Sequence, residues 1–511
     1  MQTTDFVLMT LGIGLIGAFV YIIWGYLKGL KGSPYELWLL YLAKVLEYSA
    51  YGAMNMSFVL YLSADCGLSD ISAGFYIGTW STFLTLITMM VGAVVDAIGI
   101  RKTLLIGTGF LLFSRFFMPW LGNVYSASIL GFFPMAFGIA IMGPVLSVGI
   151  KRYCTKEGAA LGFGLFYTLM NVGWAMGGLI FDWVRRGVGR QSDGTFKEYV
   201  VTQIPVLHID LSTYQVIFLV GFLLTLPTLA LILLFRDGVE RKDDGEVVVT
   251  PKVNTFQGSS LSVLYQTIAK AARDTVDIFA SVVRERAFWH FMFMLGILVF
   301  VRLVFYHFHY TFPKYGVRVL GEGVKIGNIY GVLNPVMIVF LVPLVATLTR
   351  KVSSYKVMMV GTFISALSVF IATMPAEIFA PLMDTWLGDL VLNRWLEVPV
   401  AQQTPLFLAL VVFIAVFTIG ESLWSPRLMQ FTAEIAPHGR EGSYIALSYL
   451  PYFAAKFLAG PLSGELVAAY TPEGAASYPD HYMVWMWIGG MALISPIGLV
   501  VFRRLFARTG H

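Results

Sequence analysis

Six ionisable residues stand inside stretches otherwise apolar enough to cross a bilayer: Lys44, Glu47, Arg115, Arg302, Glu421 and Lys456. A charge deep in a span costs on the order of 3 kcal/mol on insertion scales, so such a residue faces a bundle interior or a wet cavity rather than lipid. Lys44 and Glu47 lie one turn apart on one helix face and can neutralise each other. Arg302 falls near the end of its stretch and can snorkel outward, whereas Lys456 is mid-span with no such escape. Arg115 can serve as a support for its neighbours. Four bases against two acids leave an excess of positive charge, which suits a cavity that receives an anion or a carboxylate. Glu47 and Glu421 are the two carboxylates well inside spans, which makes them the candidates for carrying a proton, since a proton carrier changes charge during its cycle.

The elements that hold these residues are membrane helices. Of 511 residues, 57% are hydrophobic and 13% charged, a balance too apolar for a soluble chain of this length. The 50 Gly, 40 Phe and 25 Tyr suit helices that pack through small residues and anchor aromatics at the interface, whereas a barrel would read as alternating strands of about ten residues. At about 20 residues per crossing, spans are expected near 5–27, 36–62, 72–96, 103–121, 126–150, 158–182 and 214–235, then 286–311, 326–349, 355–376, 404–428, 442–467 and 482–503. The reading is one helix, then six, then six. It divides the chain into an extra N-terminal transmembrane helix (1–35), an N-terminal six-helix bundle (36–235), a linker (236–285) and a C-terminal six-helix bundle (286–511). The first stretch is too long and too weakly basic for a secretory signal peptide and is kept as a helix.

The net charge of +5 resides in short loops, which argues for topology and against a nucleic-acid partner. Lys28, Lys31, Arg101, Lys102, Lys151, Arg152, Arg350, Lys351, Arg503 and Arg504 all fall on one side, read as cytoplasmic. The N-terminus is then outside and the C-terminus inside, in the plasma (inner) membrane. The segment 183–213, with Arg185, Arg186 and Arg190, falls outside as a long loop, and Thr195–Ile209 has the β-branched character of a small hairpin. Residues 236–257 read as a solvated linker. After it, Leu261, Leu264, Ile268, Ala272 and Phe279 recur at helical spacing as an amphipathic surface helix.

Other patterns lead nowhere catalytic. Cys66 and Cys154 fall at opposite membrane faces, too far apart for a disulfide. His307 and His309 read as interface aromatics rather than metal ligands, and the G-x-x-x-G repeats at Gly158/Gly162 and Gly173/Gly177 as close helix packing. With no P-loop, no Ser-His-Asp elbow and no Cys/His cluster, the expectation is no enzyme and no cofactor, with energy drawn from a gradient.

Gly92, Asp96, Gly99, Arg101 and Lys102 stand as G-x-x-x-D-x-x-G-x-R-K after the third span. This resembles the signature loop of the major facilitator superfamily, whose two six-helix bundles rock around a midplane site. In that reading the loop is a conformational latch. Three more stretches, FYTLMNVG from Phe166, LNPVMIVFLVPLVA from Leu333, and GESLWSPRL from Gly420 with Ala436 and Pro437 beyond it, are similar to segments of the proton-coupled oligopeptide transporters. The resemblance implies that Asn171, Asn334 and Glu421 face a central cavity and hold the termini of a di- or tripeptide. An amide side chain offers two donors and an acceptor for that task. Tyr51, with Gly52, matches the end of the family's first-helix motif, and Lys44 and Lys456 join the expected binding set as intramembrane bases. The chain departs from the family where E-x-x-E-R becomes Ala43, Lys44, Val45, Leu46 and Glu47, and where the fourth-helix lysine before proline is Gly143 before Pro144. The implied activity is proton-coupled symport of small peptides or peptide-like solutes by alternating access. The alternatives are a carrier of another small solute, such as an organic anion, and a non-transporting receptor for which the extra first span serves a partner.

Overall fold

A computed structural model describes residues 3–204, 208–250, 286–435 and 450–504, with a few isolated positions between 262 and 273. The expected amphipathic helix at 261–279 and the Ala436–Pro437 pair lie outside the described residues. Thirteen long helical segments follow one another: α1 Thr3–Gly29, α2 Tyr35–Ala64, α3 Asp70–Ile98, α4 Ile100–Phe117, α5 Val124–Tyr153, α6 Lys156–Gly189, α7 Thr213–Leu233, α8 Arg286–Tyr310, α9 Asn328–Leu348, α10 Ser354–Thr373, α11 Leu406–Ile435, α12 Leu450–Tyr470 and α13 Tyr482–Val501. Ten of the described helices are long and apolar enough to cross a membrane. The all-helical membrane architecture expected from composition is the one found.

Local chemistry sets many of the boundaries. Ser69, Thr155 and Ser212 each accept a backbone N–H at a helix start, and Gln215 reaches back to Ser212 to complete a capping box on α7. Gly99 breaks α3 from α4 at φ 86°, a conformation that favours glycine. Two helices outrun their apolar stretches. α6 continues to Gly189 and α11 to Ile435, so Arg185 and Arg186, expected in a loop, are helical. The reason is that Arg185 is buried by ion pairs with Asp182 and Glu198, which lets the helix continue past its apolar stretch.

Two small hairpins were only partly legible. Val201–Ile204 (β1) pairs antiparallel with Ile209–Ser212 (β2), a few residues beyond the expected position. Val239–Arg241 (β3) pairs with Val247–Val249 (β4) inside the segment read as plain linker. There the Asp-Asp-Gly turn, with Gly245 at φ 89°, joins two β-branched runs, which is a hairpin signal.

α2 packs along α6 and α7, α10 along α11, and α4 along α5; one buried apolar cluster runs through both halves, with a smaller one among α8, α10, α11 and α13. The halves meet along two seams, α3 against α12 and α6 against α9. The described residues form two faces: a linker face carrying residues 30–34, 154–155 and 234–250, and a long-loop face carrying 65–69, 190–204, 208–212, 311–327 and 374–405.

Candidate functional site

The buried charges segregate. Arg115 on α4 donates two hydrogen bonds to the Glu47 carboxylate on α2, at 2.6 and 2.9 Å, and a third to Thr225 on α7 at 2.6 Å. Arg115 is fully buried and Glu47 is 3% exposed. This corrects the expectation that Lys44 neutralises Glu47: the guanidinium fork matches both carboxylate oxygens, which a point-like ammonium cannot do. Lys44 instead sits 3.7 Å over the Tyr48 ring and 3.9 Å over Phe166, held by cation–π attraction. Lys456 donates to Thr85 across the α3–α12 seam at 2.9 Å. Tyr51 packs edge-on against Trp174. None of Lys44, Glu47, Tyr51 and Lys456 lines the cavity described next.

That cavity, of about 480 Å³, lies between the halves and takes walls from α6, α8, α9, α11 and α12. Asn171 and Thr168 reach it from α6, Arg302 and His309 from α8, Asn334 from α9, Glu421 from α11 and Tyr452 from α12. Asn334 donates 2.7 Å to the Glu421 carboxylate and 2.9 Å to Thr418. Asn171 donates through its Nδ2 to the Tyr167 carbonyl one turn back and lines the cavity. Three residues named from sequence thus converge, one from the first half and two from the second.

Arg302, one of the six intramembrane charges read as facing a cavity with outward snorkelling as the alternative, is in the cavity wall. Its guanidinium stacks 4.2 Å from the Tyr452 ring centre and 4.9 Å from Phe305, and its Nε has no hydrogen-bond partner among the described residues. Flat aromatic faces replace water for a guanidinium more readily than for an ammonium, which explains burial in place of snorkelling. His309, read as an interface aromatic, lines the same wall and packs edge-on against Trp174 and Tyr330. A helical-face reading could have found both, since Arg302, Phe305, Tyr306 and His309 follow i, i+3, i+4, i+7 spacing.

On the long-loop face the halves are clasped. Asp182 near the end of α6 accepts bonds from the Gly327 and Asn328 backbone N–H groups and from the Asn328 amide, at 3.0, 2.6 and 2.7 Å. Its carboxylate therefore caps α9, where the helix dipole favours an anion. Arg186 meets Glu397 at 2.8 Å, and Asp70 at the head of α3 takes both Lys314 and Arg318 from the second half. Sequence reasoning assigned none of this clasp. In the candidate latch, Arg101 donates 3.2 Å to the Leu233 carbonyl at the end of α7, within its own half, and Lys102 is exposed. Gly92 and Asp96 lie on α3, Asp96 in its final turn; their side chains are outside the described set.

Comparison with known proteins finds that the family model for the Major Facilitator Superfamily matches residues 40–392. No curated protein matches in sequence. Among solved structures, a POT family transporter in complex with a thioalcohol-conjugated peptide is similar at TM-score 0.63 and 15% identity over 94% of this chain and 99% of that one. A POT family transporter with 5-aminolevulinic acid gives TM-score 0.63 at 16% identity over 93% and 99%. A structure described under substrate recognition in proton-dependent oligopeptide transporters gives TM-score 0.66 at 15% identity over 93% and 99%. At such identities the likeness is one of fold.

Proposed function

The chain belongs to the major facilitator superfamily, and from that premise we propose that it is a secondary active symporter moving small peptides or peptide-like solutes with a proton. The observation that carries the reading is the convergence of Asn171, Asn334, Glu421 and Arg302, drawn from both halves, on one cavity between the bundles. A zwitterionic solute fits that polarity. Arg302 receives its carboxylate, Glu421 its ammonium, and the two amides complete the hydrogen bonds that burial demands. The clasp on the long-loop face supports an arrangement closed there, with release toward the linker face.

Proton coupling runs through Glu421 in this reading. Among the described residues its carboxylate accepts a hydrogen bond from the Asn334 amide and none from a cation, so a proton loads there without stranding a hydrogen-bonded protein charge, and the protonated carboxyl still presents an oxygen to the solute's ammonium. Glu47 is committed to Arg115, and a proton there would leave a buried guanidinium without its counter-ion. We assign residues 36–235 and 286–511 to the two rocking bundles and the G-x-x-x-D-x-x-G-x-R-K loop to a latch. The linker face is cytoplasmic, the N-terminus outside and the C-terminus inside. An organic anion is a second reading, favoured by the unpartnered Nε of Arg302.

Thermal-shift measurements on the purified protein with dipeptides, tripeptides and organic anions test the assignment, because a ligand that binds only the folded state raises the melting point. The expected outcome is a rise with peptides that Asn334→Ala weakens by about 1–3 kcal/mol, the cost of leaving a buried polar group unpaired. A rise with organic anions alone would transfer the site to the second reading, and no rise with either class would sink both.

A further inference from the structure

The superfamily plan of two six-helix bundles has no place for α1, yet α1 touches the cavity. Its side chains are exposed along most of the helix, with Ile13, Ile16, Val20, Tyr21, Trp24 and Leu27 turned outward as an apolar surface suited to lipid. The opposite stripe is different. Phe19, Ile22, Ile23 and Tyr26 are partly covered, and Leu30 just past the helix end is 1% exposed, a spacing of three, four and seven that presents one face to the bundle.

That face straddles the two halves. Phe19 meets the Phe340 ring of α9 edge-on at 6.5 Å. Two turns later Tyr26 lies on Gly164 of α6, so closely that a Cβ there would meet the Tyr26 hydroxyl at 2.9 Å. Tyr26 is also part of the cavity lining. The foot of the helix is fixed: Gly32 turns at φ 84°, and Arg241 of the β3–β4 hairpin donates to the Ser33 hydroxyl at 2.9 Å and the Lys31 carbonyl at 3.3 Å.

We propose that α1 is the lateral wall of the solute cavity: it covers the α6–α9 seam on the lipid side, and Tyr26 is the side chain that closes the cavity against the bilayer. An apolar solute or a lipid chain would otherwise have a path between two helices that separate when the bundles rock. The helix touches both halves, α6 at Gly164 and Leu161 and α9 at Phe340, so the wall persists as the halves tilt, pivoting on its tied foot. This rests on reading the cavity as a solute site, and it adds a residue from outside the two bundles to that site.

The test requires no transport. In a background with Cys66 and Cys154 replaced by Ser, a Ser425→Cys reporter in the cavity wall is labelled in proteoliposomes by two maleimides, lipid-soluble pyrenylmaleimide and a sulfonated, membrane-impermeant one. Tyr26→Ala should raise the pyrenylmaleimide rate at least threefold and leave the sulfonated rate unchanged, while Tyr26→Phe should behave as the parent because the ring is what blocks the seam. Tyr21→Ala, on the outward face, controls for a general loosening of α1. Equal pyrenylmaleimide rates with Tyr26 and with Ala would overturn the proposal, as would an equal rise in the Tyr21→Ala variant. If labelling responds as stated but no peptide shifts the melting point, the wall stands and the peptide assignment falls.

Discussion

Replacing Glu47 by Gln removes the counter-ion of Arg115 and little else. The amide keeps the size of the carboxylate and can still accept one N–H, but the guanidinium remains, fully buried, with the Thr225 hydroxyl as its other bonded partner. Stranding one member of a buried pair costs about 3–5 kcal/mol, against a median of 0–1 kcal/mol for an exposed pair. Arg115→Met strands the carboxylate instead, with Lys44 close by on the same helix to soften the loss. The double variant Glu47→Gln/Arg115→Met leaves neither charge of the pair stranded and should recover most of the deficit, because the cost of breaking a buried pair lies in the uncompensated charge, which neither Gln nor Met carries. Equilibrium unfolding in mixed micelles of rising dodecyl sulfate fraction, followed by far-ultraviolet circular dichroism, gives the four stabilities of the cycle. The predicted order is parent and double variant together, Arg115→Met below them, and Glu47→Gln lowest. A Glu47→Gln variant as stable as the parent, or a double variant whose loss equals the sum of the singles, would refute the structural role of the pair and return Glu47 to the proton pathway.

Two further outcomes follow from the long-loop face. Asp182→Asn weakens the cap on α9 and should favour opening there by about 1–3 kcal/mol, visible as a longer-distance population between spin labels at Gly187 and Ala401; an unchanged distance distribution would make the clasp ornamental. Burial pushes the Asp65 carboxyl up to about 6, above its unfolded value of about 3.9. The folded protein therefore holds that proton more tightly than the unfolded chain, and stability falls as pH rises from about 4 to 6. Asp65→Asn should match the parent below pH 4 and exceed it above pH 6 by on the order of 1–2 kcal/mol; parallel stability curves would contradict this.

The helices were legible because hydrophobic runs of spanning length leave few alternatives, and their ends fell within a few residues wherever caps or charged turns marked them. Where polar residues continue a helix, as Asp182 and Arg185 do on α6, a one-dimensional pattern stops early, since the pairing that permits burial comes from Glu198, beyond the helix end, and from α9, remote in sequence. The same limit explains the charges. Lys44 and Glu47 look paired by spacing, but the partner with matching geometry is Arg115, 68 residues away. Asn171, Asn334 and Glu421 were found through short stretches resembling a family, and the structure brings them to one cavity. His309 and Tyr26 were missed because a helical face has to be counted for each span separately, and the buried stripe of α1 carries no charge to draw attention to it.

The central claim is that a peptide-like solute crosses through this cavity with a proton on Glu421. Uptake of radiolabelled dialanine into proteoliposomes under an imposed pH gradient, acidic outside, tests it most directly. The account predicts accumulation above the external concentration that collapses with the gradient, and a Glu421→Gln variant that still exchanges dialanine but no longer concentrates it. Accumulation by Glu421→Gln equal to that of the parent, or a parent that ignores the gradient while binding the peptide, would contradict it.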